Sequence, residues 1–387
     1  MKILFTSFAY YPETSGVPIV IQYLAEGLAY KGHSVSVATR VNGKHLSAHE
    51  VINGVNVYRF DIGQTLFKTD KGNVMEYIDF VMSYEKDILV LECLQCHTTD
   101  LLLPYLNKMN CKIVIHSHGI PGLTMKFFSW QGDIVHTIGN FHNWFRWKYY
   151  YWRTIPKYAS SIDLGISLSL CSSDIGYFTD HFKHVSIVEN AANSMFFDEK
   201  IKEDGKINFD IKSSRYILNI SNYSDRKNQL LLLKEFVKAD LKDCALVLIG
   251  SSPNKYYNKV VNAASKIRSK YKREIVILHG IDRKYFPSII RDASLFVMTS
   301  KWEEYPVSLV ESMAIGTPFI STMVGNAHIL PGGVVARTTN EIHILLKTLM
   351  FNNVLRDRLG CQGKKYAYEY NYLPKVIDIF ENAITEL

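Results

Sequence analysis

The sequence predicts a two-domain α/β protein in which each domain is a parallel sheet covered by helices. Three observations carry this. The chain has 387 residues, more than one ordinary core sustains. Short Val/Ile-rich runs alternate with amphipathic stretches, the rhythm of βαβ units. That rhythm stops and restarts, so the units fall into two sets.

In the first set KILFTSF is a strand, and Ile19–Lys31 is an amphipathic helix stopped by Gly32. HSVSVATR and DILVLEC are strands, Leu101–Met109 is a helix, and CKIVIHSH is a further strand. In the second set SRYILNISNY is a strand, Gln229–Ala239 a helix and CALVLIGS a strand. Helix Lys255–Tyr271, strand REIVILHG, helix Tyr285–Asp292 and strand SLFVMTS follow. The Glu303–Gly316 region is helical and PFIST is a strand. The halves join near Val185–Phe197, giving domains 1–190 and 191–370, and a last helix, 371–387, packs back on the first domain.

Composition bounds the class. Hydrophobic content of 47% and charge of 21% describe a globular protein. No 18-residue apolar run exists, so no transmembrane helix is expected. The N-terminus has the pattern of a first strand and not of a secretory signal, which places the chain in the cytoplasm. The net charge is +7, and Lys255–Lys284 holds nine Lys/Arg against two acids. That run suits a solvated helix face, or attraction to anionic lipid or a polyanionic substrate. No nucleic-acid module motif is present. Cys93-Leu-Gln-Cys96-His97 spells a c-type haem attachment site, but such attachment needs export, so reduced cysteines near a strand end are expected. No second Cys/His cluster completes a zinc site.

Parallel sheets bind ligands at the carboxyl ends of their strands, so the loops after strands carry the chemistry. In Ala9–Val20, Gly16 lets backbone approach a ligand ahead of a helix N-terminus. The loop lacks GxGxxG, which disfavours an NAD-dependent oxidoreductase. In IVIHSHGIPG, His116 and His118 share one side of a strand, and His118 can bond a substrate hydroxyl or a developing charge. In SNYSDRKNQ, Lys227 stands just before a helix, where an ammonium and the helix dipole can share a phosphate. Glu303 and Glu311 bracket a strand-to-helix corner, with Pro306 suited to the first helical turn and Gly316 to its end. Two carboxylates so placed can accept hydrogen bonds from several vicinal hydroxyls, as sugars and ribose present them.

The block Glu303, seven residues, Glu311, then SMAIGTPFIS resembles the Glu-x7-Glu signature of retaining glycosyltransferases of family 4. Other blocks agree in order. KILF…YYP…SG…LAEGLAYKGHSVSV is similar to the family's first strand, glycine loop and helix, and SIVENAANSMF to its interdomain stretch, with Asn190 at the family Asn. ILNISNYSDRKNQ and LVLIGSSP are similar to two further strand ends. The resemblance spans nearly the whole chain and implies the GT-B fold, two Rossmann-like doubly wound domains facing across a cleft. It implies that Glu311 holds the donor ribose and that Glu303, with the backbone N–H groups of Glu304, Tyr305 and Pro306's neighbours, holds the transferred sugar. It implies that Lys227 neutralises the leaving diphosphate, that Gly16 lets backbone approach it, and that His118 sits beside the sugar.

Three positions depart from the family: Asn222 stands where an Arg is usual, Gly16-Val17 replaces a double glycine, and Glu304 replaces a Gly. Arg226 is a candidate substitute for the missing cation. The implied function is retaining, metal-independent transfer from a nucleotide diphosphate sugar, UDP- or GDP-linked, to a glycan acceptor. No Asp-x-Asp metal grip is present, no cofactor is implied, and no nucleophilic carboxylate stands out in the first half. The alternatives are a GT-B sugar-nucleotide epimerase and a non-catalytic sugar-nucleotide-binding member of the fold. The acceptor rests on Phe141–Ala159, rich in aromatics, with Arg146, Lys148, Arg153 and Lys157 and no acid. That segment suits either a helix covering the sheet or contact with an anionic membrane at its inner, cytoplasmic face. The membrane alternative implies a lipid-linked glycan acceptor in cell-surface polysaccharide synthesis.

Overall fold

The computed structural model describes residues 1–13, 16–41, 46–64, 69–127, 134–198 and 209–387, with backbone alone over 134–138. Thr14 and Ser15 of the first glycine loop lie outside the described residues. The chain divides into two compact units, Met1–Glu189 with Val376–Leu387, and Asn190–Lys375. Each is an α/β unit on a mainly parallel sheet, the architecture predicted for both halves.

The first sheet contains β1 (Lys2–Ser7), β2 (Ser34–Arg40), β3 (His49–Ile52) and β4 (Val55–Phe60). A separate antiparallel ribbon pairs β5 (Ile62–Gln64) with β6 (Asp70–Gly72). The sheet resumes with β7 (Ile88–Glu92), β8 (Lys112–His116), β9 (Leu164–Ser167) and β10 (His184–Ile187). The order is β10-β9-β8-β7-β1-β2-β4-β3, and only β3 runs antiparallel to its neighbour. The chain order reverses at β1, which lies between β2 and β7, so the switch point opens at the carboxyl ends of β1 and β7. The strands are continuous apolar runs because both faces are covered; β7 is buried along its whole length.

The second sheet contains β11 (Arg215–Ile220), β12 (Cys244–Gly250), β13 (Ile275–His279), β14 (Leu295–Met298), β15 (Phe319–Thr322) and β16 (Gly333–Ala336). All its pairings are parallel, in the order β13-β12-β11-β14-β15-β16. Its switch point lies between β11 and β14, which delivers the loops 221–228 and 299–306 to one place. Helix Lys255–Tyr271 starts on Asn254, whose side chain accepts the Tyr257 N–H, and ends on left-handed Lys272.

Two expected helices differ. Leu101–Met109 is a 3₁₀ turn over Leu103–Lys108, where Pro104 at the start allows only a short, tight coil. The helix after β14 begins at Val307 and not at Glu303. Tyr305 precedes a proline, which pushes it out of helical backbone, and Pro306 is an extended cap residue. Gly316, at φ +90°, ends this helix with its N–H on the carbonyls of Ser312 and Met313.

The last helix, Leu373–Thr385, contributes residues from Val376 onward to the first unit. Phe380 stacks on Phe5 at 6.1 Å and lies edge-on to His116 at 5.5 Å. Gly27 gives Ile377 its place: a Cβ there would stand 2.1 Å from the Ile377 side chain.

Candidate active site

In the second unit three loops converge on the Glu303–Pro306 stretch. Asn190 donates from Nδ2 to the Tyr305 carbonyl at 2.8 Å. Asn371 donates to the Asn190 carbonyl and the Tyr305 hydroxyl, both at 3.0 Å. Asn326 donates its backbone N–H to the Glu304 carbonyl at 3.2 Å. The stretch is thus bound from three directions, a rigid support for a functional loop.

Gly325 is the tightest part of this support. Its φ is +50°, and a Cβ would meet the Glu304 carbonyl oxygen at 2.2 Å and that of Glu303 at 2.8 Å. Gly325→Ala is expected to destabilise the chain by roughly 1–3 kcal/mol by displacing that backbone, with loss of activity. A melting temperature and turnover equal to wild type would contradict the assigned support.

Glu303, Glu304 and Glu311 are all buried. A buried carboxylate is costly unless paired. Lys227 donates from Nζ to Glu303 Oε1 at 2.5 Å. Lys227 is held in turn, since Thr299 at the end of β14 donates to the Lys227 and Asn228 carbonyls at 3.3 and 3.1 Å. Arg283 pairs with Glu311 and stands 5.7 and 5.8 Å from the ring centres of Phe196 and Phe286. Arg283 is a cation that sequence reasoning missed. Glu303 and Glu311 each already hold a cation, so a hydroxylated ligand there must share or displace it.

Three polar groups beside the loop are buried with no hydrogen-bond partner among the described residues: Ser300 Oγ, Asn190 Oδ1 and both amide atoms of Asn326. Such orphans are rare in settled cores. Asn222 is exposed, and its carbonyl accepts from Gln229 Nε2 at 3.1 Å. Arg226 is exposed and leans toward the Trp302 ring at 5.6 Å.

In the first unit the switch point carries a cavity of about 550 Å³, walled in part by Ser7, Val17, Pro18, Arg40, Glu92 and Cys96. Gly16 adjoins it at φ +63°, ψ −136°, a conformation open essentially to glycine alone. Nothing lies within 4 Å of where its Cβ would be, so the backbone geometry and not crowding requires glycine. Cys93 and Cys96 are free thiols, both pushed up by burial, and positive φ at Cys93 and Gln95 turns the chain after β7.

His118 is anchored by a residue absent from the sequence-based candidates. Glu92, 1% exposed at the end of β7, accepts from His118 Nε2 at 2.9 Å and from His116 Nδ1 at 3.1 Å. The parallel register sets Glu92 directly beside His116. Each of the three offers a ligand atom within 4.8 Å of the others; hydrogen bonding to one carboxylate already accounts for the grouping.

Burial alone would raise the Glu92 carboxyl, but the two imidazoles outweigh it and hold it at about 2. Burial lowers His118, with His116 adding to the effect. The signs agree. Glu92 lies below its unfolded value of 4.5, so its contribution is complete above about pH 4.5 and is lost toward pH 2. His118 lies below 6.5, so its neutral form stabilises fully above that pH and progressively less below it. The melting temperature is expected to fall as pH drops below about 6.5, and more steeply in Glu92→Gln between about pH 6.5 and 4.5, because the carboxylate that favours protonation of His118 is gone. An identical pH profile in that variant would contradict this.

Of the predicted residues, the structure joins Lys227 to Glu303 and sets Glu304, Tyr305 and Pro306 in the same braced loop. Glu311 is joined to Arg283. Gly16 and His118 belong to the other unit. The aromatic segment forms a helix, Ile134–Tyr149, then one π turn, Tyr150–Thr154. The π turn buries Tyr150 and Tyr151 side by side, and Tyr150 donates to Asp100 at 2.5 Å. Trp152 is 77% exposed and Tyr149 61%.

Residues 200–330 match the family Glycosyl transferases group 1. An uncharacterized glycosyltransferase of Methanocaldococcus jannaschii is 25% identical over 337 residues, covering 84% of this chain and 81% of that protein. The structure of sucrose-phosphate synthase from Thermosynechococcus elongatus superposes with a TM-score of 0.77 at 14% identity, over 100% of this chain and 98% of that one. Anabaena HepE, solved in complex with UDP and glucose, superposes with a TM-score of 0.72 at 13% identity, over 100% of both chains.

Proposed function

We propose that this chain, a GT-B protein whose residues 200–330 carry the group 1 glycosyltransferase family, moves a sugar from a nucleotide diphosphate sugar to a glycan acceptor with retention of configuration. One observation carries the reading: two buried carboxylates, Glu303 and Glu311, stand at a parallel-sheet switch point, each paired with a cation. Carboxylates there accept from sugar and ribose hydroxyls, and Lys227 supplies a cation for the leaving diphosphate. HepE's complex with UDP and glucose makes UDP-sugars the first donors to test.

The leaving diphosphate gains negative charge as the glycosidic bond breaks. Lys227 is held in advance by Glu303 and needs little reorganisation to stabilise that charge. No divalent ion is needed in this scheme. The acceptor hydroxyl attacks from the face the diphosphate leaves, and the departing phosphate oxygen takes its proton.

The test is nucleotide release and sugar transfer from UDP- and GDP-sugars, with and without chelator, and NMR of the product anomer. Acceptor-dependent, chelator-resistant release with a retained anomer supports the proposal. Interconversion of the sugar nucleotide without acceptor supports the epimerase instead, and donor binding without turnover supports a non-catalytic member.

A lipid-linked acceptor at a membrane's cytoplasmic face is the finer reading. It is supported by the exposed Phe141, Phe145, Tyr149 and Trp152 beside Arg146, Arg153 and Lys157. Binding to phosphatidylglycerol vesicles is expected, weakened by salt and by Trp152→Ala. Equal recovery with neutral and anionic vesicles would contradict it.

A further inference from the structure

We infer that Glu92 is a positioning residue that sets the tautomer of His118, so that His118 presents Nδ1 as a hydrogen-bond acceptor. The inference rests on the proposed sugar transfer only for its consequence, that this nitrogen receives a substrate hydroxyl.

The geometry leaves few alternatives. An ionised carboxylate has no proton to give, so both rings must donate to it. His118 donates from Nε2 and His116 from Nδ1. A neutral imidazole carries one N–H, so in a neutral ring the nitrogen that does not donate is a lone pair. In His116 that nitrogen, Nε2, is buried with no partner. In His118 it is Nδ1, which has no hydrogen-bond partner among the described residues. His118 lies just past the carboxyl end of β8, two residues from His116, and its anchor Glu92 is part of the cavity wall.

Glu92 therefore does two things. It locks the ring against rotation from a buried, rigid strand end. It also determines that the ring accepts and does not donate. A substrate hydroxyl can satisfy Nδ1; a carbonyl or phosphate oxygen cannot. This selects for a hydroxyl-bearing group at that point and makes a deoxy or fluoro substituent there a poor fit.

The experiment is long-range ¹H–¹⁵N NMR of the full chain labelled at histidine, at pH 7.5, with His118→Asn to assign the ring. The expected result is a neutral His118 protonated at Nε2. A charged ring or an Nδ1–H tautomer overturns the inference. In Glu92→Gln the carboxamide can donate as well as accept, so the His118 tautomer is expected to become mixed or inverted. The kcat should then fall about 10–100-fold, the range seen for outer-shell partners that orient metal-bound histidines, with donor KM within about twofold. Unchanged tautomer and kcat in Glu92→Gln overturn it. Glu92→Asp, still a carboxylate, should retain the Nε2–H form and part of the rate. The NMR arm needs no substrate, so a protein that transfers no sugar would defeat the functional proposal and leave the tautomer result to decide this one.

Discussion

Lys227→Ala is expected to lower kcat by about 10²–10³-fold, the cost of removing one preorganised charge-stabilising group. The diphosphate is a better anion in the transition state than in the bound donor, so a fixed cation favours the transition state. Lys227 is fixed: Glu303 holds its ammonium at 2.5 Å, and Thr299 holds its backbone. The variant also strands Glu303, a buried carboxylate, without its cation. Some loss of stability will therefore accompany the loss of rate, and kcat must be read at a temperature where the variant is folded. Lys227→Arg keeps a cation and should recover part of the rate, though not all, because its planar fork is held differently. A kcat within threefold of wild type in the alanine variant would remove Lys227 from the mechanism.

Glu311→Ala is expected to weaken donor binding by roughly 10²–10⁴-fold. Two hydrogen bonds from a ribose diol to a carboxylate are worth about 1.5–3 kcal/mol each. Arg283 complicates the expectation in a testable way. It pairs with Glu311, and the donor must share or displace it. Arg283→Gln should then bind donor no more weakly than about wild type if the pair merely guards the carboxylate, and more weakly if Arg283 itself contacts the donor. Titration calorimetry of both variants separates the two.

The architecture was legible because it rests on local patterns. Helix Gln229–Ala239 and helix Lys255–Tyr271 could be delimited from periodicity and their ends, where Asn254 caps one and left-handed Asp240 and Lys272 close both. What escaped was set by neighbours distant in sequence. Glu92 lies near the end of the apolar strand run DILVLEC; only the β7–β8 register brings it to His116, 24 residues on. A charged residue closing a wholly apolar run was the available signal. Arg283 sat within a basic run that suited a solvated face, and its partner is 28 residues away. Gly325 gave no hint at all, because its role is the carbonyl it must clear, and that carbonyl belongs to Glu304. The helix begins at Val307, just past Pro306, and does not span the whole Glu303–Gly316 region, because Glu303–Tyr305 are held by Asn190, Asn326 and Asn371 and not by helical bonds.

The most direct measurement is a thermal shift of the purified chain against UDP-, GDP-, ADP- and dTDP-sugars, beside Glu311→Ala. A ligand that binds only the folded form raises the melting temperature by mass action. One nucleotide class should stabilise the wild type, and the same sugar nucleotide should leave Glu311→Ala unmoved. No shift with any of them at millimolar concentration, or an equal shift in the variant, would contradict the carboxylate pair as a sugar-nucleotide site.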